Sequence, residues 1–91
     1  MTVEIRLPTL LRVHASGSAT VSAESGTVGT AFAEMTDLHP GLSGQLVDSS
    51  GTLHRFVNVY VNDDDIRYLE SLDTPTADGD VVSILPAVAG G

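Results

Sequence analysis

The residues with the clearest chemical potential lie at the far end of the chain, Leu85–Pro86–Ala87–Val88–Ala89–Gly90–Gly91. After Pro86 every side chain is small or absent, and the terminal carboxylate is the one charge expected there. Six residues from Pro86 to Gly91 reach about 20 Å when extended. Glycine has no side chain to clash, so a segment of this kind threads a narrow channel and lets backbone approach backbone. A frayed end is the competing account, since disorder concentrates at termini.

The remaining candidates for chemistry are weaker. There is no cysteine, which rules out disulfides, thiolate metal sites and cysteine nucleophiles. His14, His39 and His54 match no zinc spacing and read as loop or surface residues, so no metal site is expected. Asn62–Asp63–Asp64–Asp65 resembles the start of a calcium loop, but Arg67 and Asp73 stand where that loop needs glycine and glutamate. Gly26–Thr27–Val28–Gly29 lacks the Lys-Ser/Thr of a phosphate loop and the third glycine of a dinucleotide fingerprint. Ser43 has no nucleophile-elbow spacing around it. With no acid–base pair or triad in view, the chain is not expected to be an enzyme, nor to bind a cofactor itself.

Charge narrows the choice of partner. Twelve acidic residues against four arginines give a net charge of −8. Nucleic acid and anionic membrane surfaces both require cationic neutralisation, so neither is expected. An acidic surface suits a protein partner with a basic face, although it also simply maintains solubility. The chain has no lysine. An activated C-terminus would therefore meet no internal ε-amine, and arginine stays protonated. A genome-wide preference for arginine explains the same absence. No run approaches the roughly 18 apolar residues of a membrane span. Met1–Leu11 lacks the pattern of a signal peptide, and a cytoplasmic location is expected.

The elements that must position the tail are legible from periodicity. Val3, Ile5 and Leu7 alternate with polar residues as in a half-buried strand, which Pro8 ends. A second strand through Ala19–Ser22 follows the turn Ser16–Gly17–Ser18, making an N-terminal hairpin. Val28, Ala31, Phe32 and Met35 then fall on one face of a helix, with Thr27 as its N-cap and His39–Pro40–Gly41 as its stop. Leu42–Val47 adds a turn of helix before the loop Asp48–Gly51. Phe56–Val61 is the clearest strand, Asn62–Asp65 a polar turn, and 66–73 a weak edge strand or loop. Asp78–Gly79–Asp80 turns the chain into a last strand, Val81–Leu85, and pairing should fade at Pro86. The order β-β-α-β-(β)-β specifies an α+β domain. Ninety-one residues hold one such domain, here 1–85, followed by a flexible C-terminal tail, 86–91.

A small domain of this order ending in Gly-Gly resembles the β-grasp, ubiquitin-like proteins. It most resembles the prokaryotic sulfur carriers of the ThiS, MoaD and CysO type. The resemblance rests on Ala77–Gly91, on Leu53–Asn62, and on Leu7–Pro8–Thr9–Leu10–Leu11–Arg12. The last two segments point to the actinobacterial cysteine-biosynthesis branch. It implies a mixed sheet of four to five strands on one helix, and a sulfur carrier function centred on Gly91. In that family an E1-like (MoeB/ThiF-type) adenylyltransferase joins AMP to the last glycine, and sulfide or a persulfide replaces AMP to leave a thiocarboxylate. A pyridoxal-phosphate-dependent cysteine synthase, or another sulfur-accepting enzyme, would take the sulfur. A JAMM-type metalloprotease would release the product, so ATP, zinc and pyridoxal phosphate all belong to the partners. Molybdopterin or a thiosugar is an alternative destination for the sulfur. A ubiquitin-like protein modifier and an inert interaction domain are the alternatives from other classes.

In such a fold the helix should cover Val3, Ile5, Val57, Val59, Val82 and Ile84. Phe56, Tyr60, Val81 and Leu85 would then lie on the opposite sheet face as a partner-docking surface, unless segment 66–73 covers them. Pro86, Ala87, Val88, Ala89 and Gly90 would thread into partner active sites to present Gly91.

Overall fold

A computed structural model describes residues 1–46 and 57–86. Strand β1 (Thr2–Arg6) buries Val3 and Ile5, leaves Glu4 half-buried and exposes Thr2 and Arg6, as its alternation dictates. It pairs antiparallel with β2 (Thr20–Glu24), from Thr2 opposite Glu24 to Arg6 opposite Thr20. The second strand therefore starts one residue later than Ala19 and runs on to Glu24. The hairpin also differs from expectation in its connection. Between the strands lie a one-turn helix, α1 (Thr9–Arg12), and a 3₁₀ turn (Val13–Ala15), which insert Leu11 and Ala15 into the core. Two turns are too short to register as periodicity.

Helix α2 (Val28–Leu38) is the element the spacing predicts, with Val28, Ala31, Phe32 and Met35 all buried. Its start is fixed by a reciprocal pair of bonds. Thr27 Oγ1 accepts from the Thr30 N–H at 3.1 Å, and Thr30 Oγ1 accepts from the Thr27 N–H at 2.9 Å. This is a capping box with threonine in the role usually held by glutamate or glutamine. A 3₁₀ turn (Pro40–Leu42) and the short helix α3 (Ser43–Leu46) follow and bury Leu42 and Leu46. Val47 and the loop Asp48–Gly51 lie outside the described residues.

Strand β3 (Val57–Val61) turns through Asn62 and Asp63 into the two-residue β4 (Asp64–Asp65). Both turn residues have positive φ, 49° and 76°, the geometry of a two-residue hairpin loop that asparagine and aspartate tolerate. The polar turn is thus tighter than 62–65, because Asp64 and Asp65 already pair with Val61 and Tyr60. Residues 66–73 form no further strand. Asp65 Oδ1 accepts from the Arg67 N–H at 2.9 Å and opens a 3₁₀ turn (Ile66–Tyr68), followed by another (Ser71–Asp73). This segment turns to the helix side of the sheet: Ile66 is fully buried, Leu72 packs on the core, and the Val28 N–H donates to the Thr74 carbonyl at 3.0 Å.

The last strand, β5 (Val81–Pro86), extends one residue past Leu85, since proline loses the N–H but keeps a carbonyl acceptor. Among the described residues the strands form one mixed sheet in the order β2-β1-β5-β3-β4. The helix-side face carries Val3, Ile5, Val57, Val59, Val82 and Ile84, each less than a tenth exposed. A mixed sheet folded over one long helix, with the first and last strands parallel at its centre, is the β-grasp arrangement.

Candidate functional site

The strand that leads to the tail is held from both sides. β5 lies parallel to β1, with Glu4, Ile5 and Arg6 opposite Val81, Val82 and Ser83. On its other side β3 runs antiparallel, from Val61 opposite Val82 to Val57 opposite Pro86. Val81–Ser83 are therefore paired on both edges, whereas Ile84–Pro86 are paired with β3 alone.

The start of β5 is pinned as well. The Asn62 amide oxygen accepts from the Val81 N–H at 3.0 Å, while its backbone N–H donates to the Val81 carbonyl at 2.9 Å. The Asn62 side-chain NH₂ also donates to Asp80 Oδ1 at 2.9 Å, and Asp80 Oδ2 accepts from the Ala77 N–H at 2.8 Å. The Ala77 N–H and then the Asn62 amide both favour the charged carboxylate, which holds Asp80 below its usual pKa. The β3–β4 turn, the Asp78–Asp80 turn and β5 are thereby locked together. Gly79, at φ 86°, makes the second of these turns possible.

On the sheet face away from α2, Tyr60 stands opposite Ser83, and Leu85 opposite Asn58. Because β1 and β5 are parallel, the chain leaving β1 emerges at the same end of the sheet as the chain leaving β5. Helix α1 therefore sits beside the root of the tail. The two together enclose an open groove of about 740 Å³, whose lining includes Arg6, Leu10 and Arg12 from the first segment and Tyr60, Asp63, Ser83 and Leu85 from the strands and turn opposite. Leu10 is 73% exposed and Leu85 48%. Arg6 Nε bonds Glu4 Oε2 at 2.7 Å. Arg12, half-buried, donates from Nε to the Leu7 carbonyl at 3.1 Å.

The expected docking residues are therefore divided. Tyr60 and Leu85 share the groove, whereas Val81 lies in a separate depression with Thr2, Glu4, Ser22 and Asp80. Phe56, Ala87, Val88, Ala89, Gly90 and Gly91 lie outside the described residues. Arg6, Leu10 and Arg12 were not expected as groove residues, although Leu10 and Arg12 belong to a segment that carries the family resemblance. Pro8 directly after β1 marks a redirected chain but not where it goes. His14 sits in the 3₁₀ turn after α1 and His39 at the end of α2. Among the described residues no three histidine, aspartate or glutamate side chains converge as a metal site, and no helix is long and apolar enough to cross a membrane.

Comparison with known proteins gives a consistent answer. The chain is 50% identical to the sulfur carrier protein CysO of Mycobacterium tuberculosis over 93 aligned residues, covering the whole of both chains. Its fold superposes on that of the crystallised Amycolatopsis orientalis BexX/CysO complex with a TM-score of 0.90 and 44% identity, over 98% of this chain and 99% of that one. It also superposes on SAMP1 from Haloferax volcanii, with a TM-score of 0.83 and 31% identity over the full length of both. Residues 5–91 match the family model of ThiS, and the chain belongs to the ThiS family.

Proposed function

We propose that this chain is a cytoplasmic sulfur carrier, acting in cysteine biosynthesis, whose reactive group is the carboxyl of Gly91. Half-identity to a sulfur carrier over the whole length is the observation that carries the reading. The architecture supports it: a carrier must present a flexible acyl group from a rigid base, and β5 is a central strand, paired on both sides over Val81–Ser83 and with β3 as far as Pro86.

A carboxylate resists attack by sulfur because its leaving group would be oxide. The Gly91 carboxylate would attack the α-phosphorus of ATP in an E1-like adenylyltransferase, releasing pyrophosphate and forming an acyl-adenylate. Hydrosulfide then adds to the carbonyl carbon, the bond to AMP breaks, and a thiocarboxylate, AMP and a proton result. The sulfur would attack an aminoacrylate on the pyridoxal phosphate of a cysteine synthase. An S-to-N acyl shift and cleavage by a zinc-dependent JAMM-type protease would free cysteine and restore Gly91. In this scheme the chain supplies an acyl group and a docking surface, and ATP, zinc and pyridoxal phosphate stay with the partners. Residues 86–91 act as the tail that enters each partner's active site. The absence of cysteine and lysine suits such a carrier, because neither a thiol nor an ε-amine of its own competes for the activated carbonyl.

The test is the intact mass after incubation with ATP, sulfide and an E1-like adenylyltransferase. A gain equal to one oxygen-for-sulfur exchange is expected, sensitive to an alkylating thiol trap and absent from a chain lacking Gly91. The trap separates it from oxidation of Met1 or Met35, which adds nearly the same mass. No trap-sensitive gain with an adenylyltransferase proven active on its own carrier would refute the reading. The likeness to SAMP1, a small archaeal modifier protein, favours one other reading: attachment of Gly91 to lysines of target proteins. Gly91-dependent, higher-mass conjugates in cell extract would support the modifier over the carrier.

A further inference from the structure

The end of β5 is held by fewer bonds than its start, since Ile84–Pro86 face β3 alone. The Asn62 N–H donates to the Val81 carbonyl, and antiparallel alternation then makes Tyr60–Ser83 and Asn58–Leu85 the bonded pairs. Val57 stands opposite Pro86 in a non-bonded pair. Asn58–Leu85 is thus the last bonded pair before the tail among the described residues. On the outer edge of β3, β4 pairs only with Tyr60 and Val61 and does not reach this level. Arg67 fills the place instead. Its Nη2 donates to the Val57 carbonyl and its Nη1 to Asn58 Oδ1, both at 2.7 Å. One planar guanidinium thereby grips two consecutive residues of β3, and its charge makes each bond stronger than a neutral one. The backbone behind it is fixed as well: Asp65 Oδ1 accepts from the Arg67 N–H at 2.9 Å, and the neighbouring Ile66 is fully buried.

We propose that Arg67 is a positioning residue for the tail. It clamps Val57 and Asn58, Asn58 holds Leu85 through the last ladder bonds, and the point from which the tail departs is fixed in this way. The inference rests on the carrier reading and deepens it, because it concerns how the Gly91 carboxyl is delivered to whichever partner receives it. When the tail is rooted at Pro86, only the residues beyond it must be ordered as a partner takes it up. If the root frays back through Leu85, each further residue adds its own backbone entropy to the cost of productive binding. General support of the sheet would not select this place. The grip of Arg67 falls on the residues opposite Leu85 and Pro86, where β5 has no second neighbour.

Two readouts on the full-length chain test this, comparing Arg67→Ala and Arg67→Lys with the wild type. Thr27→Ala, which removes side-chain bonds made with Thr30 in the cap of α2, controls for lost stability. The first readout is amide hydrogen exchange by NMR. In Arg67→Ala the Leu85 and Asn58 N–H groups should exchange about tenfold faster than in the wild type, with those of Tyr60 and Ser83 changed far less. The second is pyrophosphate exchange by an E1-like adenylyltransferase with the chain as the varied substrate. Arg67→Ala should lower kcat/KM about tenfold, the scale of one backbone residue freed at the root. Arg67→Lys, which reaches one acceptor at a time, should recover part of both effects, and it carries both readouts if the alanine variant does not fold. Thr27→Ala should leave kcat/KM unchanged. Unaltered protection of Leu85 would overturn the proposal, as would equal acceleration at Leu85 and Ser83, the mark of general loosening. A matching fall of kcat/KM in Thr27→Ala would overturn it too, reducing Arg67 to plain support. An unchanged kcat/KM with Leu85 freed would overturn it while leaving the carrier reading in place. A wild-type chain that supports no pyrophosphate exchange would remove both the carrier reading and this one.

Discussion

Asp80 shows how single residues set the geometry on which the tail depends. Its carboxylate accepts from the Ala77 N–H and the Asn62 amide, and these two bonds hold its pKa below the ordinary value. A depressed pKa in the folded state contributes stability that is complete above the unfolded-state pKa of about 3.9. That contribution is lost as pH falls through the lower folded-state value. Asp80→Asn should therefore flatten the acid limb of the stability curve below about pH 4, where the wild type weakens as it protonates. Urea midpoints measured from neutral to acid pH would check this, and parallel curves for the two proteins would refute it. Asp80, Asn62 and the polar turns around them were visible in the sequence as turn formers. Their mutual bonding was not, because Asn62 and Asp80 are brought together only by the pairing of β3 with β5.

At the scale of elements, two predictions concern the helix and the central strand. Thr27→Ala removes the side-chain acceptor of the capping box and should cost about 1 kcal/mol. Thr27→Ser keeps the hydroxyl and should recover most of it, as read from denaturant midpoints. Ile84 is 1% exposed at the centre of β5, and Ile84→Ala should cost about 2–5 kcal/mol through lost burial and the cavity left behind. A loss below 1 kcal/mol in the same measurement would mean that the neighbouring core collapses around the site. Helix α2 and strands β1, β3 and β5 were legible because each repeats an apolar period over five or more residues. Helix α1, strand β4 and the 3₁₀ turns at 66–68 and 71–73 were not. Each is two to four residues long, shorter than the period that would reveal it, and is shaped by contacts such as that of Ile66 with the core.

For the whole molecule, a charge of −8 on 91 residues implies self-repulsion that salt screens. The melting temperature at neutral pH should rise as sodium chloride is added over the range of roughly 0.02–0.5 M, within which the Debye length shortens several-fold. A flat or falling response would show that the acidic groups are already compensated by their neighbours. The sequence by itself determined much of this protein: the α+β class, the helix and three main strands, the inward residues of the sheet, and the Gly-Gly ending with its family resemblance. Those properties are local, because hydrophobic period, capping residues and a terminal motif are written in consecutive positions. The tertiary structure alone decided that α1 lies beside the end of β5, that Arg6, Leu10 and Arg12 share a groove with Tyr60 and Leu85, and that Val81 does not. The reason is the parallel register of β1 with β5, which places Arg6 opposite Ser83. Pairing between residues 77 positions apart is set by packing of the whole core over α2, and no local pattern encodes it.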